Sequence, residues 1–526
     1  MTKTKKINDH QLRFLKRYGS FPIAYSAVYD NLLTAFESPE GFISYVDNGN
    51  ERIVLGDPFC APEDLPGIVK KFLADTKKKK LSPIVLQCSH ETALAFVKHG
   101  YNANHMGVET NVDLTKFTLG GKKRARVRHW VTGAQNAGTT VIELSMQLPE
   151  TIALIGSISE EWLKGKANTQ ELNLLTRPLV LDYEPDTRLF CACVEDQIVA
   201  FVLFEPMYKD DKIVGYMADF VRRLDNAPKG CFDLIYYEAG KIFKAEGATT
   251  LSFGLSPLAE MENNENIHNP LISTIFNVNY NYGNDMYAYQ GLDAHKKAYY
   301  DGEMTARVPK YLVIGGAFPI NHVLYVFRFI GVIPHQSYLA SMKHFASCIL
   351  KGYFAQQKVS KPAEKQKIAA IADEVVKGVP SGKIAGDTKS SVSFVGKIAS
   401  VITSGFRAVA PQIEQQTLFF AGHFDEDTEK FYVKVSNIAD GEKAIHFVHN
   451  IVFVPYKEGY NLIMTVEVDP DMTVAQTYQL SENLKAKIFK RIPEILYARI
   501  EFKPDGAFFS MLDSQTIDNI AEEDIT

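Results

Sequence analysis

The 526-residue sequence predicts a multidomain protein of the α/β (α+β) class. Three observations lead there. Short apolar, β-branched runs alternate with amphipathic helical stretches from residue 20 to residue 256. A segment rich in Lys, Ser, Ala and Gly, residues 355–410, then breaks the pattern. Beyond it, two strands, a helix and a further strand restore it. The length suits about three or four domains at roughly 100–200 residues each.

In order along the chain, FISYVD (42–47), ERIVLGDP (51–58) and SPIVLQCS (82–89) read as strands. LPGIVKKFLADTKKKK (65–80) and HETALAFVKHGY (90–101) read as helices closed by polar or glycine signals. A second unit opens with the helix SISEEWLKGK (157–166). Strands follow at 188–197, 199–208 and 212–222, then a helix at 230–247 and a strand at 249–256. Strand pairs followed by a helix and another strand suit a mixed sheet covered by helices. In the tail, IHFVHNIVFVPY (445–456) and YNLIMTVEVDP (460–470) form a hairpin around Lys457, Glu458 and Gly459. A helix from Met472 to Arg491 and the strand ILYARIEFKP (495–504) complete that unit.

Composition excludes several classes. The hydrophobic fraction is 46%, the charged fraction 23% and the net charge −5, so no global field favours nucleic acid. Six sparse cysteines in apolar runs read as reduced and intracellular. Cys191 and Cys193 share a face of one strand and read as buried structural thiols. The start, MTKTKKINDHQ, has no apolar stretch behind it, which argues against a secretory signal. The most apolar window, 311–334, is broken by Pro319, Asn321, His322 and Arg328, against a membrane-spanning helix. It reads either as a buried helix or as one lying on a membrane surface.

The strongest local signal is FTLGGKKRARVRHWVTGAQNAG (117–138), which holds Lys122, Lys123, Arg124, Arg126, Arg128 and His129. No acid occurs between Asp113 and Glu143. Such a helix in an acidic protein is either a local polyanion site or a solvated surface helix.

Its lead, VDLTKFTLGGKK (112–123), resembles the "DLS-x-F-x-L-x-GK" lead of lysylphosphatidylglycerol synthase catalytic domains. Five more blocks resemble that family in order: LGDPF (55–59), EEWLKGK (160–166), ADFVRRLDNAPKGCFDLIYYEA (218–239), LSFGLSPLA (251–259) and YAYQGLDAHKKAYY (287–300). The sequence departs from the family at ELNLLTRP (171–178), which stands where a glycine-containing segment is usual. It also departs at Ala298 and Tyr299.

The resemblance implies two tandem GNAT-like acyltransferase domains joined by the basic helix. The first would span 1–150 and the second, catalytic, 151–335, followed by a linker at 336–410. It further implies transfer of an aminoacyl group from aminoacyl-tRNA, a co-substrate rather than a cofactor, to a lipid hydroxyl such as that of phosphatidylglycerol. The protein would then be cytoplasmic, or peripheral to the inner face of the membrane.

Transesterification needs a base for the attacking hydroxyl, stabilisation of the developing oxyanion and cations for phosphates. Asp219 and Arg222, spaced Asp-x-x-Arg, are the candidate base or amine holder and the candidate phosphate partner. A structural ion pair between them is the competing reading. Lys296 is the third catalytic candidate, for a phosphate or the acyl carbonyl. Glu161 and Lys166 flank Trp162 on a helix that borders the substrate pocket in the family, although Trp162 equally suits a core with solvated charges. Lys229 and Gly230 lead into a helix N-terminus, where free N–H groups attract anions, and Asp233 would orient that loop. Lys122, Lys123, Arg124, Arg126 and Arg128 are the candidate tRNA and phosphate contacts.

Residues 447–504 resemble the cytoplasmic domain of cation diffusion facilitators, which implies a ferredoxin-like unit over 411–516 and a homodimer. His449 matches that family's histidine and is the one candidate metal ligand, with Glu501 standing where the family often has a second His; His446 lies three positions away on a strand and faces the other side, which argues against a metal site. The competing functions are transfer to a non-lipid acceptor and a non-catalytic dimeric sensor that binds lipid or nucleic acid.

Overall fold

The computed structural model describes residues 4–164, 172–261, 270–315, 319–333 and 441–504, save positions 176 and 457, with isolated positions between 344 and 351 and between 431 and 439. The expected linker at 355–410 lies outside these residues. The chain divides into two compact units. The first comprises Met1–His268, Ala288–Ile314 and Phe329–Val332; the second comprises Asn269–Tyr287, Gly315–Arg328 and Ile333–Thr526.

The first unit begins with helices α1 (Asp9–Tyr18) and α2 (Ala24–Tyr29) and strands β1 (Thr34–Ser38), β2 (Gly41–Asn48), β3 (Glu51–Leu55) and β4 (Phe59–Cys60). Next come α3 (Leu65–Lys78), β5 (Ser82–Cys88), α4 (His90–Val97), β6 (Asn102–Asp113), α5 (Ala125–Asn136), β7 (Thr140–Leu144) and α6 (Pro149–Lys164). Then follow β8 (Arg188–Val194), β9 (Gln197–Lys209), β10 (Lys212–Arg223), α7 (Cys231–Ala245) and β11 (Thr250–Pro257). After α8 (Pro270–Tyr282), which belongs to the second unit, α9 (Tyr289–Lys297) and β12 (Thr305–Ile314) return to the first.

All twelve strands join one mixed sheet in the order β1-β2-β3-β5-β12-β6-β11-β10-β9-β8-β7, with β4 on β2. β12 lies between β5 and β6, antiparallel to both. The late strand is thus inserted among the early ones, and the expected boundary at 150 falls inside α6. β6 is a 12-residue strand that the sequence did not announce. Its NANHMGVETNVD composition favours turns, but pairing with β11 on one side and β12 on the other overrides that preference.

The apolar faces are covered by helices. Ile68, Val69 and Phe72 of α3 pack with Ile43, Val54 and Val85 of the sheet. Val127, Val131 and Ala134 of α5 and Leu234, Ile235 and Phe243 of α7 pack with Phe190, Val202, Phe204 and Tyr216. β3 is buried throughout and yet carries Arg52. Asp47 and Asp75 neutralise that guanidinium at 2.7 and 2.6 Å, and the rings of Tyr45 and Phe72 flank it. The apolar window 311–334 resolves into the end of β12 and the helix α10 (Pro319–Ile330). Among the described residues no helix is long and apolar enough to cross a membrane.

In the second unit, β13 (Ile445–Tyr456) and β14 (Gly459–Val468) form the expected hairpin. The helix α11 (Val474–Arg491) starts on a capping box in which Thr473 and Gln476 exchange side-chain and backbone hydrogen bonds. β15 (Ile495–Pro504) returns parallel to β14 at the sheet edge. Leu462, Met464 and Val466 of β14 meet Leu484 and Ile488 of α11 in the core. His449 lies on β13, and the described residues contain no group of three or more His, Cys, Asp or Glu placed to hold a metal.

Candidate active site

β10 and β11 run parallel and pair only from Gly215↔Thr250 to Met217↔Ser252. β10 then continues to Arg223 and β11 to Pro257 without pairing, so the sheet splits between them. Two irregularities hold the split open. β10 bulges against β9 between Ala218 and Phe220, and β11 slips against β6 between Ser252 and Leu255. Gly254 takes φ +66° in the second of these, where its N–H donates to Ser252 Oγ at 3.1 Å.

Asp219 is the residue extruded by the β10 bulge. It is partly buried, and its Oδ2 is shielded from solvent with no hydrogen-bond partner among the described residues. Burial, then the neighbouring Glu205 carboxylate, push its pKa well above the ordinary carboxylate range, against the pull of Arg177 and Arg222. Glu205 sits on β9 opposite Met217. Its Oε1 accepts Arg177 Nε at 2.8 Å and its Oε2 accepts Ser26 Oγ of α2 at 2.8 Å. Arg177 turns its other two nitrogens to the carboxylate of Glu184. Arg177, Glu184 and Glu205 are all buried.

Arg222 is also buried, at 2% exposure. Its Nη1 donates to Ser159 Oγ of α6, and its guanidinium lies 5.1 Å from the Trp162 ring and 5.3 Å from the Phe220 ring. The expected phosphate contact is therefore corrected: the guanidinium faces a helix and two rings inside the fold. It favours the anionic form of Asp219 from within.

Lys296 reaches the β11 side of the same split, where its Nζ donates to the carbonyl of Leu255 at 2.8 Å. Burial lowers its pKa to about 7, with Glu109 and Asp293 opposing and Arg307 assisting. Glu109 and Lys310 form a buried pair at 3.2 Å. Arg307 pairs with Asp293 and, at 2.9 Å, with Glu260. A buried lysine close to neutrality at pH 7 suits proton transfer or a carbonyl contact better than a phosphate counter-ion.

Beyond the C-terminal end of β10, Gly230 caps α7 at φ +86°, and a Cβ there would lie 2.2 Å from the carbonyl oxygen of Trp130. The α7 N-terminus is thus packed against the α5 backbone and has Asp233 in its first turn, which corrects the expected anion site. Asp233 does not orient the loop. Its Oδ1 accepts Tyr299 Oη at 2.6 Å and lies 3.1 Å from His295 Nε2, tying α7 to α9. Lys229 is exposed in the loop before α7, and Glu161 is exposed on α6. Lys166 lies outside the described residues.

The basic segment is helical only from Ala125, so Lys122 and Lys123 lie in the preceding turn and Arg124 is the cap. Three of its cations have internal roles. Arg124 pairs with Asp301, Lys123 donates to the Asp301 carbonyl at 3.0 Å, and Arg128 holds the carbonyls of Leu119 and Gly121. Lys122 is exposed, and Arg126 lies over the Trp130 ring at 4.9 Å.

The fold thus brings Asp219 and Arg222 together and sets Lys296 on the opposite lip of the split. It adds Arg177, Glu184 and Glu205, which were not among the expected residues. The signal for Glu205 was one acid inside the apolar run VAFVLFEPMY, since a charge within a buried strand demands a partner.

Residues 12–314 match the family described as phosphatidylglycerol lysyltransferase, C-terminal. A phosphatidylglycerol lysyltransferase of Bacillus subtilis (strain 168) is 30% identical over 250 residues, 47% of this chain and 28% of that protein. One of Staphylococcus haemolyticus (strain JCSC1435) is 23% identical over 303 residues, 55% of this chain and 35% of that protein. The match thus spans about a third of the length of these curated relatives. The solved L-PGS from Bacillus licheniformis superposes with a TM-score of 0.50 at 24% identity, over 63% of this chain and 99% of that one. The C-terminal domain of a putative lysylphosphatidylglycerol synthetase from Agrobacterium fabrum gives 0.50 at 22%, over 62% and 98%. These two structures share its fold. With more than half of its length matched, the chain belongs to the phosphatidylglycerol lysyltransferase C-terminal family.

Proposed function

We propose that the first unit is an aminoacyltransferase that moves an aminoacyl group from aminoacyl-tRNA to the hydroxyl of a lipid such as phosphatidylglycerol. The observation that supports it best is the split between β10 and β11 with a high-pKa carboxyl, Asp219, on one lip and a low-pKa amine, Lys296, on the other. The lipid hydroxyl gives up its proton and attacks the aminoacyl ester carbonyl. The tetrahedral oxyanion collapses, the bond to the tRNA ribose oxygen breaks, and that oxygen takes the proton. Lys296 is placed to donate to the oxyanion. Asp219 is placed to hold the donor's ammonium or take the hydroxyl proton. Lys122 and Arg126, the latter over the Trp130 ring, would meet the tRNA, and the rest of the basic segment would hold that surface in shape. Docking would occur from the inner membrane face, and the second unit, read as ferredoxin-like, would make the homodimer.

The test is mass spectrometry of lipid extracts from cells expressing the wild type or Asp219→Asn. An aminoacylated lipid present only with the wild type supports the reading and names both substrates. No new lipid from a folded, expressed wild type rejects the lipid acceptor.

A further inference from the structure

We propose that Arg307 is a positioning residue for Lys296: its ion pair with Asp293 mounts α9 on the central strands and so fixes where the Lys296 amine stands at the lip of the split. That Lys296 serves a transfer reaction rests on the reading above; the mount itself does not.

α9 is too short to place a side chain by itself. It has nine residues, and a helix of that length is marginal on its own in water. Its buried residues are Tyr289, Asp293 and Lys296. Asp293 and Lys296 are three apart and share one face of the helix. Whatever grips Asp293 therefore sets the height and rotation of Lys296.

β12, β11 and α7 each hold this helix. On β12, Arg307 donates to Asp293 through Nη2. Its Nη1 donates to Thr110 Oγ1 at 3.2 Å, on the β6 residue directly opposite it in the ladder. Its Nε lies 2.9 Å from Glu260 Oε1, just past the end of β11. On β11, the carbonyl of Leu255 accepts Lys296 Nζ at 2.8 Å. On α7, Asp233 accepts Tyr299 Oη and stands beside His295. Arg307 thus ties α9 to β6, β12 and the segment after β11 at once. Its planar fork fixes direction as well as distance. Arg307 and Asp293 are both buried, so removing one partner leaves the other's charge without its match.

The same pair also acts on Lys296 by charge. Burial is the largest influence on the amine and holds it near 7; Glu109 and Asp293 favour its charged form, and Arg307 opposes it. Of the other charged groups around α9, Lys310 pairs with Glu109, Glu260 with Arg307 and Lys297, and Asp233 is engaged by Tyr299 and His295. Arg126 of α5 lies over Trp130, which stacks on His295. Charge and position make opposite forecasts for one variant. Asp293→Asn removes a negative charge, and by charge alone that lowers the Lys296 pKa further. A lost mount frees α9, lets water reach the amine and raises the pKa toward 10.5. Arg307→Gln raises it on either account.

Two measurements on the full chain test this. The first needs no ligand. Competitive acetylation with trace acetic anhydride is followed from about pH 6 to pH 11, a range that spans the buried and the ordinary lysine. Mass spectrometry reads it at Lys296, with fragmentation separating that residue from Lys297. The midpoint gives the pKa, and the plateau gives access to the amine. Asp293→Asn and Arg307→Gln should both raise the midpoint by about one pH unit or more, and raise the plateau. Arg307→Lys, which keeps a cation for Asp293, should stay close to the wild type. A midpoint that falls or stays in Asp293→Asn overturns the mount, because the pair then acts on Lys296 by charge alone or not at all. That isosteric variant decides the matter if Arg307→Gln does not fold.

The second is steady-state transfer, with lysyl-tRNA or alanyl-tRNA as donor and phosphatidylglycerol micelles as acceptor. A displaced amine should lower kcat roughly 10- to 100-fold in Asp293→Asn and Arg307→Gln, with KM for the donor changed less than about threefold. The split follows because the mount serves the transition state rather than donor binding. Arg307→Lys should recover most of kcat. An unchanged kcat per folded molecule in both variants, or a loss confined to KM, overturns the positioning role. No transfer by any protein, the wild type included, with the acetylation profiles moving as expected, would instead defeat the transfer reading for these substrates, while the mount of Lys296 stands.

Discussion

Two side chains carry the proposed chemistry, and each owes its shifted pKa chiefly to burial. Asp219 is raised mainly by burial, so its proton is held more tightly in the folded chain than in the unfolded one. That group costs stability increasingly as pH rises through its native titration. Asp219→Asn should therefore abolish transfer while leaving thermal stability at neutral pH unchanged or higher, by about 2 °C or more at the usual scale for larger domains. A large fall in Tm alongside lost activity would mean the carboxylate is structural. Lys296 is the opposite case: its pKa falls to about 7. Its burial costs most below pH 7, where the folded chain must hold the charge, and the cost fades as pH rises toward the unfolded value near 10.5. Lys296→Met should remove that rise in stability between about pH 7 and 10.5, seen in denaturant midpoints. It should also lower kcat by roughly 100-fold if the amine serves the oxyanion.

At the scale of elements, α5 and α7 are fixed to each other by one backbone approach. Gly230 has no room for a side chain beside Trp130, and its φ is in the left-handed region. Gly230→Ala should cost about 1–3 kcal/mol in urea unfolding, and an unchanged midpoint would contradict the close contact. The basic segment divides into supports and free charges. Arg124→Ala should destabilise the fold by breaking the pair with Asp301. Lys122→Ala with Arg126→Ala should leave stability alone, weaken tRNA binding, and reduce the magnitude of its log–log salt slope by about 1–2. If the double variant binds with the wild-type slope, α5 is not the polyanion surface. The cationic run was legible in the sequence. Its division was not, because Asp301 lies far along the chain and only the return of the chain into β12 brings it alongside.

For the whole molecule, the inserted strand matters most. β12 follows α9 in the chain and yet separates β5 from β6. A fragment of residues 1–150 would lack it and would expose two long, unpaired strand edges. That fragment should be unfolded or aggregated by circular dichroism and sedimentation, whereas a soluble, cooperatively folding 1–150 would show that the early strands need no late partner. Local periodicity and turn residues determined most strands and helices of the first unit and the C-terminal hairpin, because those signals act over a few residues; Asp219, Arg222 and Lys296 were marked only by the resemblance of their segments to a family. Tertiary structure alone decided that β6 is a strand, that β12 joins the early strands, and that Arg177, Glu184 and Glu205 gather behind Asp219. Those outcomes depend on pairing and charge balance between segments remote in sequence, where the energy of burying a charge, rather than any local preference, selects the partner.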